Sequence, residues 1–445
     1  MQSVFSGDRL IVFGRYPVPG KTKTRLIPAL GPAGAANLQR LLTEKTFLTA
    51  KDFAAKNSIT VECCFEGGTQ KKIRRWLGSI PLISFQLEGD LGQRMRSALF
   101  DALRKGNKRV VLLGTDIPGV STEILKEAFG ALLKHDIVLG PSTDGGYWLM
   151  GLKQPTDLFQ DIGWGTGKVL EQTLARIRGK GLKVRLLKPL PDMDTPADLK
   201  KWRPETGFRK PFLTVIIPTL NEAEHIRSAI LSAKDRDTAV LVVDGGSTDH
   251  TVARALEAGA QVISCPPSRA LQQNRGALMA TGTTLLFLHA DTRLPEGYVP
   301  LVFETLMGGS VLGAFRFRTD LRHPLIKVFE WGAHFRSAFL HLPYGDQALF
   351  MEKSTFEKAG GFPPAPVAED FFFVRNLIKH KNIRVVMAMG EAVTSGRRWK
   401  TLGLFKTTWI NQLILAGIFM GVSLQTLSRL YRAPLKKKTL EFEAL

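Results

Sequence analysis

The sequence predicts an α/β protein of two domains, each a mostly parallel sheet flanked by helices, and three observations carry that prediction. At 445 residues the chain is too long for one ordinary core, and length alone points to two or three domains. Short β-branched runs alternate with longer helical patterns along both halves, the mark of βα units. Two apolar strands also run straight into an acid. LLFLHADTRLP carries Asp291 just past Leu285 to Leu288, and VVLLGTDIPG puts Asp116 in the same place, with Pro295 and Pro118 following. Two such strands, roughly a domain's length apart, suggest one design used twice.

Taken in order, the first half reads as strands near 10–13 (LIVF), 59–65 (ITVECCF), 110–113 (VVLL), 137–139 (IVL) and 183–187 (KVRLL). RPETGFRKPF is polar and proline-bearing and reads as a connection. The expected boundaries are a first domain over 1–205, a linker over 206–212, a second domain over 213–432 and a basic tail over 433–445. Strands of the second half fall near 213–217 (LTVII), 239–243 (AVLVV), 260–263 (AQVI), 284–288 (TLLFL), 312–317 (LGAFRF) and 383–387 (IRVVM). No short-period repeat or low-complexity tract interrupts them.

Hydrophobic residues at 44% and charged residues at 23% are those of a globular protein. Three cysteines, Cys63, Cys64 and Cys265, write neither a disulfide framework nor a zinc spacing, and a reducing, cytoplasmic setting fits them. MQSVFSGDRLIVFGR lacks the basic and apolar regions of a secretion signal, so none is expected. The net charge of +21 is spread over both halves and comes with no DNA- or RNA-reading motif, which argues against a nucleic-acid partner. Only 395–438 concentrates it, with nine basic residues and no acid around the apolar core LILAGIFMGVSL. That core is shorter than the roughly 20 residues a spanning helix needs, so the segment reads as a peripheral contact with anionic lipid, on the inner face of the membrane, or as the cover of a diphosphate or acceptor groove.

In open α/β sheets, ligands bind past the carboxyl ends of the strands, and the second half places polar residues there repeatedly. LTVIIPTLNEAEHI ends a strand with Thr219, Asn221 and Glu222; AVLVVDGGSTDHT ends one with Asp244 and two glycines; LLFLHADT supplies His289 and Asp291. GFPPAPVAEDFFFVRNL carries Glu369 and Asp370 before a helix, and SGRRW carries Arg397, Arg398 and Trp399. This ordered series resembles family-2 inverting glycosyltransferases, which use nucleotide-sugar donors on a GT-A, Rossmann-related fold; the resemblance covers about 211–430. It implies that Thr219, Asn221, Glu222 and Asp244 hold the nucleoside and that Asp291 binds a Mn²⁺ or Mg²⁺ ion on the diphosphate, with His289 beside it. It also implies that Asp370 of the Glu369/Asp370 pair is the general base and that Arg398 and Trp399 grip the diphosphate or the acceptor. A metal and an arginine would stabilise the negative charge that develops on the leaving group, and a carboxylate on the other side would take the acceptor's proton.

Two positions depart from that family. Its DxD reads HAD, which leaves the metal resting on Asp291 with imidazole favouring Mn²⁺, and its QxxRW reads SxxRW, with Ser395 in the glutamine position. GSVLGAFRF and YGDQALF resemble a subgroup found with arsenosugar biosynthesis. The acceptor implied is a small molecule or, in an alternative reading, a lipid or polyprenyl phosphate.

The first half carries FGRYPVPGKTKTRLIPALG, where Lys21, Lys23 and Arg25 crowd a Gly/Pro turn suited to phosphate, although the P-loop spacing is absent. With GTDIP, GPSTDGGYWLMGL (Asp144), IGWGTGKVL and DMDTPADL (Asp194), this half resembles a small family of GT-A-like sugar or nucleotide transferases over about 8–202. The resemblance implies a metal shared by Asp116 and Asp194. Whether this half transfers a nucleotidyl group, transfers a sugar or only binds is left open.

Each residue also has a plainer reading. Asp244 alone is more often a helix-entry cap, Glu369 and Asp370 suit the positive end of a helix, and His289 fits a hydrogen-bonded neighbour of a site. Trp399 fits packing, and a basic loop is usually a solvated face.

Overall fold

The computed structural model describes residues 7–199, 211–307, 311–381 and 384–431, so the expected tail, and the expected linker apart from its last two residues, lie outside the described residues. The chain divides into two compact units, Met1–Phe208 and Arg209–Leu445.

The first unit is built on seven strands: β1 (Arg9–Arg15), β2 (Thr60–Glu66), β3 (Leu82–Phe85), β4 (Val110–Gly114), β5 (Ile137–Pro141), β6 (Tyr147–Leu152) and β7 (Val184–Leu186). Their order in the sheet is β3-β2-β1-β4-β6-β5-β7, parallel throughout except for β6, which runs against both β4 and β5. Leu10, Ile11 and Val12 of β1 and Val111 and Leu113 of β4 are fully buried, as expected of strands covered on both faces. Burial pushes the thiol of Cys63 on β2 up to about 12 and that of Cys64 to about 11, so both are inert neutral packing groups.

The second unit repeats the plan with β8 (Leu213–Thr219), β9 (Thr238–Asp244), β10 (Gln261–Ser264), β11 (Thr284–Phe287), β12 (Thr292–Arg293), β13 (Val311–Thr319), β14 (Leu349–Glu352) and β15 (Arg384–Thr394). The order is β10-β9-β8-β11-β14-β13-β15-β12, and β14 is antiparallel to both of its neighbours, as β6 is in the first sheet. Without the two-residue β12, the two sheets have one strand order and one reversed position. The core on one face of this sheet gathers Ile216, Val243, Leu285, Phe287, Leu349 and Met351 against Phe356, Phe362 and Phe373.

In both units the reversed strand lets a loop reach the acid. Near the end of β4, Leu113 pairs with Leu149 in the first half of β6, and Phe287, the last residue of β11, pairs with Leu349, the first of β14. The loops that enter the reversed strands, STDGG and YGDQ, therefore arrive at the strand ends that carry Asp116 and Asp291. No described helix is long and apolar enough to cross a membrane.

Candidate functional site

In the second unit four strand ends converge. Thr219 closes β8, and its buried Oγ1 has no hydrogen-bond partner. Asn221, at φ 56°, takes the left-handed conformation that its short amide tolerates; its N–H donates to Ser247 Oγ (2.9 Å) and its Oδ1 accepts from Thr248 N–H (2.9 Å). It is thus a brace for the loop after β9 in this structure. Asp244 is buried and closes that loop itself, accepting from the N–H groups of Gly246 (2.9 Å) and Ser247 (3.0 Å) and from Ser247 Oγ (2.5 Å).

Asp291 follows β11, and its Oδ2 faces a guanidinium of Arg397 at 3.2 Å. Arg397 also spans both carboxylate oxygens of Glu222, one of them at 2.8 Å. Arg398 points elsewhere: its guanidinium lies over the Tyr431 ring at 3.6 Å and donates to the Tyr431 carbonyl at 3.2 Å. Trp399 packs edge-on against Phe317, and its indole N–H is buried without a partner.

Glu369 and Asp370 open the helix Glu369–Lys381, where the helix dipole favours acids. Glu369 is buried and ion-paired with Arg269 (3.5 Å); burial raises its carboxyl above the usual range more than Arg269 lowers it. Asp370 is half-buried, and its Oδ2 accepts the Gly345 N–H at 2.6 Å while Oδ1 accepts the N–H of Phe371 at 2.8 Å. A methyl built at Gly345 would meet His289 Nε2 at 2.7 Å and Asp370 Oδ2 at 3.2 Å, so the imidazole and the acid crowd the same small space. Burial and the nearby Arg269 hold His289 below its usual range, which leaves a neutral ring. Asp346, in the same turn, is pushed up to about 6 by burial against the pull of Arg336, with Asp370 and Asp291 adding to the rise, and its Oδ1 is buried without a partner.

The described residues contain no group of three or more His, Cys, Asp or Glu arranged to hold a metal. A protein-only cage is therefore absent among them. The second unit fits a hard divalent ion in so far as three acids lie close together: Asp346 has a buried oxygen without a hydrogen bond, and Asp291 and Asp370 add negative potential beside it, so Asp291 would hold such an ion.

The first unit differs. Lys23 lies in the loop after β1 with left-handed backbone (φ 46°), and its Nζ is 2.8 Å from Asp116 Oδ1 and 3.3 Å from Asp194 Oδ1. Burial works against the ammonium, but the two acids outweigh it and raise its pKa. Arg25 reaches Asp194 only at 3.7 Å, and Lys21 is exposed. Arg15, at the end of β1, is held by Glu66 (2.7 Å). Asp144 accepts the Gly146 N–H (3.0 Å) within its own turn. Gly145, at φ 89°, is required because a Cβ there would stand 2.0 Å from the Gly167 carbonyl, so the TDGG and GTG loops pack backbone to backbone.

Three residues of this arrangement were not singled out as site residues in the sequence. Arg397 and Asp346 sit inside quoted motifs, but nothing local ranks Arg397 above Arg398. Arg269 meets Glu369 across 100 positions of chain, which no local pattern reveals.

Comparison with known proteins gives two family matches. Residues 49–166 match DUF2064, described as an uncharacterized protein conserved in bacteria, and residues 214–344 match glycosyl transferase family 2. Uncharacterized glycosyltransferases of Mycobacterium bovis and Mycobacterium tuberculosis are 36% identical over 107 residues, 24% of this chain and 49% of each relative. The chain thus spans about half the length of the curated relatives it matches. Among solved structures, a protein assigned as a nucleotide-diphospho-sugar transferase of Desulfovibrio desulfuricans is 33% identical over 43% of this chain and 84% of its own, with a TM-score of 0.40. Glucosyl-3-phosphoglycerate synthase of M. tuberculosis, solved with Mn²⁺, uridine diphosphate and glucosyl-3-phosphoglycerate, is 22% identical over 47% of this chain and 80% of its own, with a TM-score of 0.33.

Proposed function

We propose that the second unit is an inverting glycosyltransferase that takes its sugar from a nucleotide-diphosphate donor. The observation that carries this reading is the pairing of two acids across one turn: Asp291, at a strand end, faces Arg397, and Asp370, at a helix start, is held by the Gly345 N–H. In this reading Asp370 accepts the proton of an acceptor hydroxyl as that oxygen bonds to the anomeric carbon, and the bond from that carbon to the diphosphate breaks on the opposite face. The configuration inverts, and the nucleoside diphosphate leaves. Asp291 would hold a divalent ion, which supplies charge neutralisation for the leaving diphosphate when bound. Arg397 supplies a guanidinium at the same edge. Thr219, Asn221, Glu222 and Asp244 are assigned to the nucleoside side, where the unpartnered Thr219 hydroxyl is the group best placed to accept a new bond. Arg398 and Trp399 are assigned to the acceptor side.

The first unit is read as a nucleotide-binding transferase-like domain, with the phosphate side at Lys21 and Arg25 and with Asp144 facing the nucleotide. The likeness of GSVLGAFRF and YGDQALF to the arsenosugar subgroup supports a role of that type, in the cytoplasm. Screening nucleotide sugars for binding and hydrolysis with Mn²⁺ or Mg²⁺ tests the donor. No turnover of any nucleotide sugar, with Asp291→Ala binding them as the native chain does, would refute the reading.

A second reading, a lipid or polyprenyl-phosphate acceptor met at an anionic membrane surface, rests on exposed side chains. Trp331 on the helix Ile326–Phe339 is 66% exposed and stacks on Phe335 (5.6 Å), which stacks on Phe339 (4.6 Å). Trp409 on the helix Leu404–Phe419 is 67% exposed, with Phe405 exposed one turn earlier. Trp409 and Phe405 lie in the stretch 395–431, which has no acid and carries Lys400 and Lys406, and this suits the interface of an anionic bilayer.

A further inference from the structure

The acids of the first unit that a shared metal would need are already bound to something else. Lys23 Nζ stands 2.8 Å from Asp116 Oδ1 in an ion pair and donates to Asp194 Oδ1 (3.3 Å) and to the Met193 carbonyl (2.7 Å). Only 3% of its side chain is exposed, whereas the two acids keep outer oxygens in contact with solvent. The loop is built to put it there. Thr22 Oγ1 accepts the Val18 N–H (2.9 Å) and donates back to the Val18 carbonyl (3.1 Å), Lys23 adopts a backbone conformation that a long side chain seldom takes, and the next turn starts with Leu26 N–H donating to the Lys23 carbonyl (2.8 Å).

We propose that the Lys23 ammonium is the resident cation of the first unit, holding Asp116 and Asp194 together where a related site would hold a divalent ion, so that this unit binds its phosphate-bearing ligand without metal. A buried ammonium ion-paired with two carboxylates cannot be displaced cheaply, because moving it leaves a desolvated charge unpaired. The second unit offers the contrast. Arg397 is 46% exposed and keeps Glu222 if it releases Asp291, so an arriving ion costs it one contact. The inference stands independently of the activity assigned to the second unit.

The test is a titration of the full chain with Mn²⁺ alone, followed by electron paramagnetic resonance. The native chain and Asp116→Asn should bind Mn²⁺ with the same stoichiometry. Lys23→Met should gain one site at least tenfold tighter than any in the native chain, and Lys23→Met with Asp116→Asn should lose it. A native Mn²⁺ site that disappears in Asp116→Asn overturns the proposal, and so does the absence of a new site in folded Lys23→Met. Asp194→Asn gives the same comparison with the native chain if Asp116→Asn fails to fold, and Lys23→Gln takes the place of Lys23→Met if that variant does.

Discussion

Arg397 reaches Asp291 at 3.2 Å while it spans both oxygens of Glu222, so one guanidinium ties the end of β8 to the end of β11. Replacing Arg397 with Ala removes the cation nearest the proposed leaving group. Turnover of the nucleotide sugar should fall about 10²–10³-fold, the cost typical of one lost electrostatic stabiliser. Arg398→Ala, which loses contacts to Tyr431, should cost clearly less, and steady-state kinetics on the two variants make the comparison.

Asp291→Ala and Asp370→Asn should separate binding from chemistry. The first should weaken metal-dependent binding of the donor, measured by calorimetry with and without Mn²⁺. The second should bind nearly as the native chain does and turn over roughly 10²–10⁴-fold more slowly, as for a lost general base. Native turnover in Asp370→Asn would remove it from the mechanism.

Gly345→Ala introduces a methyl 2.7 Å from His289 Nε2 and 3.2 Å from Asp370 Oδ2. The turn must shift, and with it the N–H that holds Asp370. Turnover should drop at least tenfold, with thermal stability changed far less than in a core truncation; differential scanning calorimetry beside the kinetic assay reads both.

Stability should fall in acid partly through Glu66. Burial works to raise its pKa, but hydrogen bonds from Arg15 and Arg94 win and lower it below the usual value. The unfolded chain therefore binds the proton more tightly. The stabilisation is present above the unfolded carboxylate pKa, about 4.3, and is lost as pH falls through the lower folded value. Glu66→Gln should melt below the native protein at pH 7, and the gap should close in strong acid.

If the exposed aromatic row meets lipid, the protein should float with vesicles containing anionic phospholipid and be released by salt, and Trp331→Ser with Trp409→Ser should abolish flotation. Neutral vesicles should bind it weakly. No salt-sensitive binding to anionic vesicles would leave packing or self-association as the use of that face.

Apart from β3, the parallel strands were legible because each is a short apolar run bounded by turn residues. β6 and β14 were not, and for one reason. Each enters from a glycine-bearing loop instead of a helix, so YWLMGL and LFME read as tails of the motifs before them. β3, LISF, is a half-exposed strand at the edge of its sheet with too little apolar contrast to stand out. In the site, an acid placed past a buried strand could be read directly, as Asp116 and Asp291 show. Adjacent residues of a helix point about 100° apart, so the choice between Arg397 and Arg398 is made by Tyr431 and Glu222, far away in sequence. The position of Lys23 was equally hidden, since a basic loop does not say whether its cations face solvent or the protein's own acids.

The reversed strand has a consequence for how such a chain can change. Because β6 and β14 run back alongside β4 and β11, the loop before them brings Asp144 or Asp346 towards the strand end that carries Asp116 or Asp291. Each loop is also tied to its own unit, Gly145 against the Gly167 carbonyl and Gly345 through its N–H to Asp370, so a change in either loop has to keep those contacts while the register of the sheet stays as it is. The two halves have the same plan with unrelated loops, TDGG in one and YGDQ in the other. They therefore share one strand order and differ in the loops that reach the strand-end acids, so the sheets leave the difference between the two sites to those loops.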